Sequence, residues 1–190
     1  MRSNFSHIVE QLRKGVVGLL PSDTIYGLSC LALDEKAVER IYKLKGRDYG
    51  KPLIILLADI DQAEQLGLRA NDLEPARKYW PAPLTVIVPA GKFTPEFLHR
   101  GSRALAIRIP DKQELRELIK QTGPLISTSA NPQGKRPARN VKEAKDYFGN
   151  ELIFYIDTGE LKAMPSTIVE LKDGELKLIR QGAFPAPGNT

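Results

Sequence analysis

Residues 36–57 read KAVERIYKLKGRDYGKPLIILL and contain a helix signal followed by a strand signal. In Lys36–Leu44 the apolar side chains recur at helical spacing, with Arg40 and Lys43 turned away from that face. Gly46 is suited to end this helix. The run Leu53–Leu57 is continuously apolar, which is typical of a buried strand. An amphipathic helix followed by an apolar strand predicts an α/β fold.

The rest of the chain repeats this alternation. Further strands are predicted at Val16–Leu20, Thr85–Val88, Ala104–Ile109, Leu125–Thr128, Ile153–Ile156, Thr167–Leu171 and Leu176–Ile179. Further helices are predicted around Ile8, Val9 and Leu12, and over Leu73–Tyr79, Gln113–Gln121 and Val141–Phe148. Lys172, Asp173 and Gly174 separate the last two strands, so we expect a hairpin there. Helices should cover at least one face of the sheet.

Length and composition limit the class of protein. The chain has 190 residues, 42% of them hydrophobic, which is enough for one buried core and short for two. Its formal charge of +5 suits an anionic ligand without proving one. Cys30 is the only cysteine, which excludes an intrachain disulfide, and it is expected to pack in the core. The tail 183–190 is expected to be flexible.

The sequence favours a cytoplasmic protein without membrane attachment. No apolar run approaches the roughly 20 residues that span a bilayer. The N-terminus lacks the apolar core of a signal peptide.

Three cations, Lys45, Arg47 and Lys51, lie close together where the helix meets the apolar strand. They would repel one another unless an anion or the helix C-terminal dipole offsets them. Phosphate suits this set, because arginine holds two phosphate oxygens in a fork and lysine acts as a mobile point charge. The alternative is a solvated basic loop, the commoner role of such a run.

Polar side chains follow several strands, where binding loops are usual. The group Ser22, Asp23 and Thr24 either lies against a ligand or forms a turn. The segment 127–134 offers hydroxyls and an amide for a ribose, a base edge or a phosphate. Arg108, at a strand end, should meet a carboxylate from a ligand or from a structural acid. The basic stretch 135–145 is either a solvated helix entry or a contact surface for tRNA phosphates.

Seven motifs, in this order and over nearly the full length, resemble the short form of the threonylcarbamoyl-AMP synthase family. They are PSDTIYGL at 21–28, KGR at 45–47 with KPL at 51–53, WPAPLT at 80–85, RIP at 108–110, STSAN at 127–131, PSTIV at 165–169 and RQG at 180–182. Ser22 and Ala82 depart from the threonine and glycine that the family often has there, and both keep the side chain small. Each motif is weak alone, but their order is specific.

The resemblance implies a catalytic domain over 1–182, with a twisted, mostly mixed open sheet flanked by helices and a basic concave face. It implies a nucleotidyltransferase that makes L-threonylcarbamoyladenylate and pyrophosphate from L-threonine, bicarbonate and ATP, for the t6A modification of tRNA. Mg²⁺ is expected to arrive with ATP, without a dedicated metal site. The expected partner is the tRNA threonylcarbamoyl-transferase machinery, with tRNA or double-stranded RNA as a further contact.

Carried over by motif, the site residues fall into groups with different roles. Those for threonine are Thr24, Arg108, Ser127 and Ser166, with Arg108 at the carboxylate. Those for ATP are Arg47, Lys51, Ser129, Asn131 and Arg180. Lys45 and Arg47 are the expected catalytic residues, through their charge near the phosphates.

Two other functions remain open. The basic stretches Lys36–Lys51 and Lys135–Lys145 also fit a non-catalytic double-stranded RNA or tRNA-binding module, which would bind RNA in a salt-sensitive way without ATP turnover. A related domain occurs in larger hydrogenase-maturation proteins with zinc-finger segments, for which this chain lacks the cysteines.

Overall fold

The computed structural model describes residues 2–186, with side chains from Ser6 onward. The strands are β1 Gly18–Pro21, β2 Tyr26–Leu31, β3 Ile54–Leu56, β4 Leu84–Pro89, β5 Ala104–Arg108, β6 Leu125–Ser129, β7 Thr167–Lys172 and β8 Glu175–Arg180. The α-helices are α1 Arg2–Arg13, α2 Glu35–Lys45, α3 Glu74–Arg77, α4 Glu96–His99, α5 Gln113–Thr122 and α6 Val141–Phe148. Short 3-10 helices lie at Asp61–Leu66, Ala70–Leu73 and Gly149–Glu151.

The strands form one eight-stranded sheet in the order β1-β2-β6-β3-β5-β4-β7-β8. The pairs β3–β5 and β4–β7 are parallel, and the other neighbours are antiparallel. The predicted single α/β domain with a mixed open sheet is therefore confirmed. The β7–β8 turn lies at Asp173 and Gly174, both with positive φ, as the predicted hairpin requires.

Helices cover both faces of this sheet. Ile55 of β3 packs in the apolar cluster that includes α2 and α6, whereas its neighbour Leu56 packs in the cluster that includes α1 and α5. Successive strand residues point to opposite faces, so the two clusters lie on opposite sides. Burial of each large apolar side chain contributes about 1.5 to 3 kcal/mol.

Capping residues fix the ends of α2. The Asp34 side chain accepts a hydrogen bond from the Ala37 amide at 3.0 Å, and Gly46 ends the helix with φ at 57°. The helix end predicted at Gly46 is therefore confirmed. This end matters for the site, because the 46–52 loop begins there.

One strand was not predicted, and two predicted elements were wrong. Tyr26–Leu31 is a strand in the sheet interior, although the polar residues before it suggested a loop. Ile153–Ile156 forms only one isolated bridge, from Tyr155 to Leu19 of the edge strand, and the Ile153 side chain is exposed. The helix predicted over Leu73–Tyr79 covers only α3, directly after a 3-10 helix, and Pro81 and Pro83 keep the following chain from continuing it.

The first residues of the C-terminal tail pack against the domain. The Ala183 amide donates to the Pro165 carbonyl at 2.9 Å, and the Phe184 ring lies edge-on to Tyr79 at 6.3 Å. The flexibility expected for 183–190 stays a prediction, and residues 187–190 lie outside the described residues.

Cys30 is buried as predicted, and burial raises the pKa of its thiol well above the usual value. Across residues 2–186, no helix has the length and apolar character needed to cross a membrane.

Candidate active site

A cavity of about 460 Å³ opens on one face of the sheet, where the central strands carry small side chains. Gly27, Ala106, Ser127 and Ser129 line its floor. The register places these strands side by side, since Ile54 of β3 pairs with Ala106 on one side and with Ser127 on the other. Small residues on neighbouring strands leave a hollow that larger side chains would fill. Its volume is typical of a small-molecule site.

The cavity wall carries three arginines, Arg47, Arg108 and Arg180. Arg47 donates from Nε to the Lys51 carbonyl and from Nη2 to the Pro52 carbonyl, both at 3.2 Å. Arg180 donates to the Ser166 carbonyl at 2.8 Å, and burial lowers its pKa. Within residues 2–186, neither Arg47 nor Arg180 forms an ion pair. These two positive charges therefore favour an anionic ligand.

Arg108 already has a carboxylate partner. Its Nη2 donates to Asp23 Oδ1 at 2.9 Å, and both side chains are only 4% exposed. Its Nη1 donates to Thr24 Oγ1 at 3.3 Å, and the Asp111 amide fixes the other Asp23 oxygen at 3.0 Å. Burial lowers the pKa of Arg108, and Asp23 opposes that effect. The sequence left either a ligand or a structural acid as the carboxylate partner of Arg108. Among the described residues that partner is the structural acid Asp23.

Of the five N–H donors of the Arg108 guanidinium, only two are used by Asp23 and Thr24. Its Nε is buried and has no acceptor among the described residues. A buried unpaired donor costs about 1 to 3 kcal/mol. Arg108 lines the cavity, and the N–H groups of Nη1 and Nη2 that Asp23 and Thr24 leave free are its candidate donors to a ligand.

Hydroxyl groups line the cavity around these arginines. Ser22 Oγ lies 2.9 Å from Thr24 Oγ1 and accepts hydrogen bonds from the Thr24 and Ile25 amides. These bonds form the turn that the sequence offered as one alternative, and Ser22 and Thr24 also line the cavity. Ser166 Oγ lies 2.8 Å from Thr85 Oγ1. These bonds fix the direction of the hydroxyls before any ligand binds.

Gly27 allows β2 to approach β6 closely. A Cβ atom there would stand 2.7 Å from Ser127 Oγ and 3.2 Å from the Thr128 carbonyl oxygen. The nearest neighbour of Gly27 in this contact is the Ser127 hydroxyl, on the cavity floor.

Three predicted site residues do not line the cavity. The Lys45 ammonium is 3% exposed and donates to the Ser129 carbonyl and, at 2.7 Å, to the Asn131 carbonyl. Burial, with Arg47 nearby, lowers its pKa to about 7. The Asn131 amide donates to the Pro132 and Lys135 carbonyls. Lys51 is exposed, with its ammonium 3.9 Å from Asp48.

Lys45 and Asn131 therefore fix the end of β6, where Ser129 lines the cavity, and the loop that follows it. The other predicted site residues all line the same cavity: Thr24, Arg47, Arg108, Ser127, Ser129, Ser166 and Arg180. Sequence reasoning missed Ser102 and Pro137, which also line it. The local signal for Ser102 was its place beside Gly101 in the short turn just before β5.

A sequence model of the Sua5/YciO/YrdC family, described as telomere recombination, matches residues 10–182. The chain belongs to this family. The threonylcarbamoyl-AMP synthase of Pyrococcus abyssi is 34% identical over 179 residues, which are 92% of this chain and 52% of that protein. The putative threonylcarbamoyl-AMP synthase of Methanocaldococcus jannaschii is 35% identical over 179 residues, 93% of this chain and 84% of that protein.

Solved structures of the Sua5/YciO/YrdC family have the same fold. The crystal structure of P. abyssi Sua5 complexed with L-threonine aligns at a TM-score of 0.87 and 31% identity, over 97% of this chain and 56% of that one. The chain thus spans about half the length of the P. abyssi relative. The resemblance drawn from the seven motifs is confirmed.

Proposed function

We propose that the chain is a nucleotidyltransferase that forms L-threonylcarbamoyl-AMP and pyrophosphate from L-threonine, bicarbonate and ATP. The observation that carries the proposal is one cavity with two kinds of lining. Small hydroxyl-bearing side chains form its floor, and the unpaired cations Arg47 and Arg180 lie on its wall. A small amino acid suits the first and a triphosphate suits the second. The relatives named threonylcarbamoyl-AMP synthase and the L-threonine complex of P. abyssi Sua5 support this assignment.

We assign L-threonine to the part of the cavity lined by Thr24, Arg108, Ser127 and Ser166. The Arg108 guanidinium would donate to the threonine carboxylate through the N–H groups of Nη1 and Nη2 that Asp23 and Thr24 leave free. The serine and threonine hydroxyls would orient the amino acid through neutral hydrogen bonds.

We assign the phosphates of ATP to Arg47 and Arg180, with Ser129 beside them. Lys45 and Asn131 would act indirectly, by holding the end of β6, which carries Ser129, and the loop after it. Lys51 would reach a phosphate only by leaving Asp48. Among the described residues, no group of three or more His, Cys, Asp or Glu side chains can hold a metal. We propose that Mg²⁺ enters as part of the MgATP substrate.

The proposed reaction needs no protein nucleophile. The threonine amine takes up carbon dioxide from bicarbonate and loses a proton, which gives a carbamate. A carbamate oxygen then attacks the α-phosphorus, and the bond to the β-phosphate oxygen breaks to release pyrophosphate. The protein would hold both substrates in line and stabilise phosphate charge through the arginines. Such positioning supplies roughly 7 to 11 kcal/mol of the barrier reduction.

We further propose that the product serves t6A modification of tRNA and passes to the tRNA threonylcarbamoyl-transferase machinery in the cytoplasm. The alternative, a non-catalytic RNA-binding module, gains little from the basic stretch 135–145. Arg136 is paired with Glu143 at 2.8 Å and Lys142 with Asp146 at 3.1 Å. These intramolecular partners favour a solvated surface.

Pyrophosphate release by the purified chain tests the proposal. We expect release with MgATP only when both L-threonine and bicarbonate are present, and much less with L-serine as the amino acid. A folded protein that binds ATP but releases no pyrophosphate would refute the catalytic assignment. Salt-sensitive tRNA binding by that protein would favour the RNA-binding module.

A further inference from the structure

A cluster outside the cavity surrounds Arg100, and we name it the Arg100 clamp: Glu39, Tyr42, Tyr49 and Arg100. The guanidinium carbon of Arg100 lies 3.9 Å from the Tyr42 ring centroid and 4.9 Å from that of Tyr49. The two rings stack at 5.2 Å and 10°. Arg100 also forms an ion pair with Glu39 of α2, and its side chain is only 11% exposed. The clamp is therefore a cation–π and ionic contact largely removed from water.

The Arg100 clamp is connected to Arg47 through one carbonyl group. The Tyr42 hydroxyl donates to the Lys51 carbonyl at 3.0 Å, and the same carbonyl accepts from Arg47 Nε at 3.2 Å. Tyr49 itself belongs to the loop that joins α2 to β3. Arg100 thus touches the loop at Tyr49 and, through Tyr42, at the group that orients Arg47.

The backbone of Arg100 belongs to the turn before β5, the parallel neighbour of β3. Arg100, Gly101 and Arg103 have φ of 48°, 79° and 55°, and this turn leads directly to Ser102 and Ala104 on the cavity wall. A non-glycine residue in the left-handed region costs roughly 1 to 2 kcal/mol. Arg100 Nε is in addition buried without an acceptor among the described residues. Such costs persist where surrounding contacts determine one conformation, as at binding sites.

We propose that Arg100 is a positioning residue, which holds the 46–52 loop so that Arg47 faces the phosphates of ATP. Arg100 does not itself line the cavity. The inference rests on the proposed assignment of ATP to Arg47. It adds a cause for the position of the Lys51 carbonyl, which accepts from both Tyr42 and Arg47.

Steady-state kinetics of Arg100→Met test this role, because methionine keeps an apolar stem and loses the charged plane. We expect the KM for ATP to rise about 10-fold to 100-fold, as misplacement of a binding group by about 1 Å does. The KM for L-threonine should change by less than about twofold, within ordinary additivity error. Arg69→Met is the matched control, since Arg69 is exposed and, among the described residues, its ion-pair partner is Asp72. Equal rises in both KM values would refute the proposal.

A double-mutant cycle with Arg47→Ala shows whether Arg100 acts through Arg47. In the Arg47→Ala background, Arg100→Met should add less than about twofold to the KM for ATP. If Arg100→Met raises the KM for ATP by the same factor in the Arg47→Ala background as in the wild type, the inference is wrong. A lower melting temperature with unchanged kinetics would also overturn it.

Two measurements separate failure of this inference from failure of the proposed function. If Arg47→Ala leaves ATP binding unchanged, the ATP assignment is wrong. If Arg47→Ala weakens ATP binding and Arg100→Met does not, only the role of Arg100 is wrong. Should Arg100→Met fail to fold, Tyr49→Ala and Tyr49→Phe give the same test. The alanine variant should raise the KM for ATP, and the phenylalanine variant, which keeps the stacked ring, should restore it.

Discussion

Replacing Asp23 by asparagine should destabilise the domain strongly while leaving its shape almost unchanged. Asp23 and Arg108 form an ion pair at 2.9 Å with both side chains 4% exposed. Asparagine keeps an oxygen that accepts from the Asp111 amide, now at 3.0 Å from Asp23. The substitution therefore removes mainly the negative charge and leaves the Arg108 cation buried without its partner.

The expected cost follows from that uncompensated charge. Removing one partner of a buried ion pair costs about 3 to 5 kcal/mol. Folded domains are stable by about 5 to 15 kcal/mol, so the variant should still fold. For a domain of this length, the loss corresponds to a melting temperature lower by roughly 6 to 20 °C.

Urea unfolding, followed by circular dichroism, measures this loss as a change in the free energy of unfolding. Asp111→Asn is the matched control, because the Asp111 side chain is 68% exposed and lies 3.8 Å from Arg116. That exposed pair should contribute about 1 kcal/mol or less. Equal losses from the two variants would show that the buried Asp23–Arg108 pair does not stabilise the fold as we argue.

Further variants test other parts of the site. Arg47→Ala should reduce pyrophosphate release far more than Arg136→Ala, because Arg136 pairs with Glu143 at the surface; equal losses would contradict the phosphate assignment. Burial lowers the Lys45 pKa to about 7, so the folded state binds fewer protons than the unfolded state above that pH. Urea titrations should therefore show wild type gaining about 2 kcal/mol over Lys45→Met between about pH 7 and 9, and a constant difference would contradict the buried-ammonium account. Gly27→Ala should raise the KM for threonine about 10-fold by displacing the Ser127 hydroxyl, and an unchanged KM would count against Ser127 as a ligand.

Much of the fold follows from local patterns in the sequence. Apolar spacing located α2, and Gly46 marked its end because that position needs a left-handed backbone. The strand Tyr26–Leu31 escaped detection because the preceding Ser22–Thr24 turn made the whole segment look like a loop. Its place between β1 and β6 depends on strand pairing far apart in the sequence, which no local pattern contains.

The site was predicted better in residue type than in side-chain direction. The motifs named serines and arginines that do share one cavity. Lys45, expected near the phosphates, instead donates to the Ser129 and Asn131 carbonyls and does not line the cavity. A motif shows that an ammonium is present, and only the packed fold shows which carbonyls surround it. Likewise the partner of Arg108 lies 85 residues away, at Asp23. The WPAPLT motif shapes the entry to β4, where the Trp80 indole donates to the Leu84 carbonyl at 2.8 Å.

The central claim is that this cavity joins threonine, bicarbonate and ATP in one adenylate. Mass spectrometry of the product made with ¹³C-bicarbonate tests it most directly. We predict an adenylate whose mass increases by that of one carbon-13 in place of carbon-12, formed only with L-threonine present. An adenylate without the label, or AMP or ADP alone, would contradict the claim.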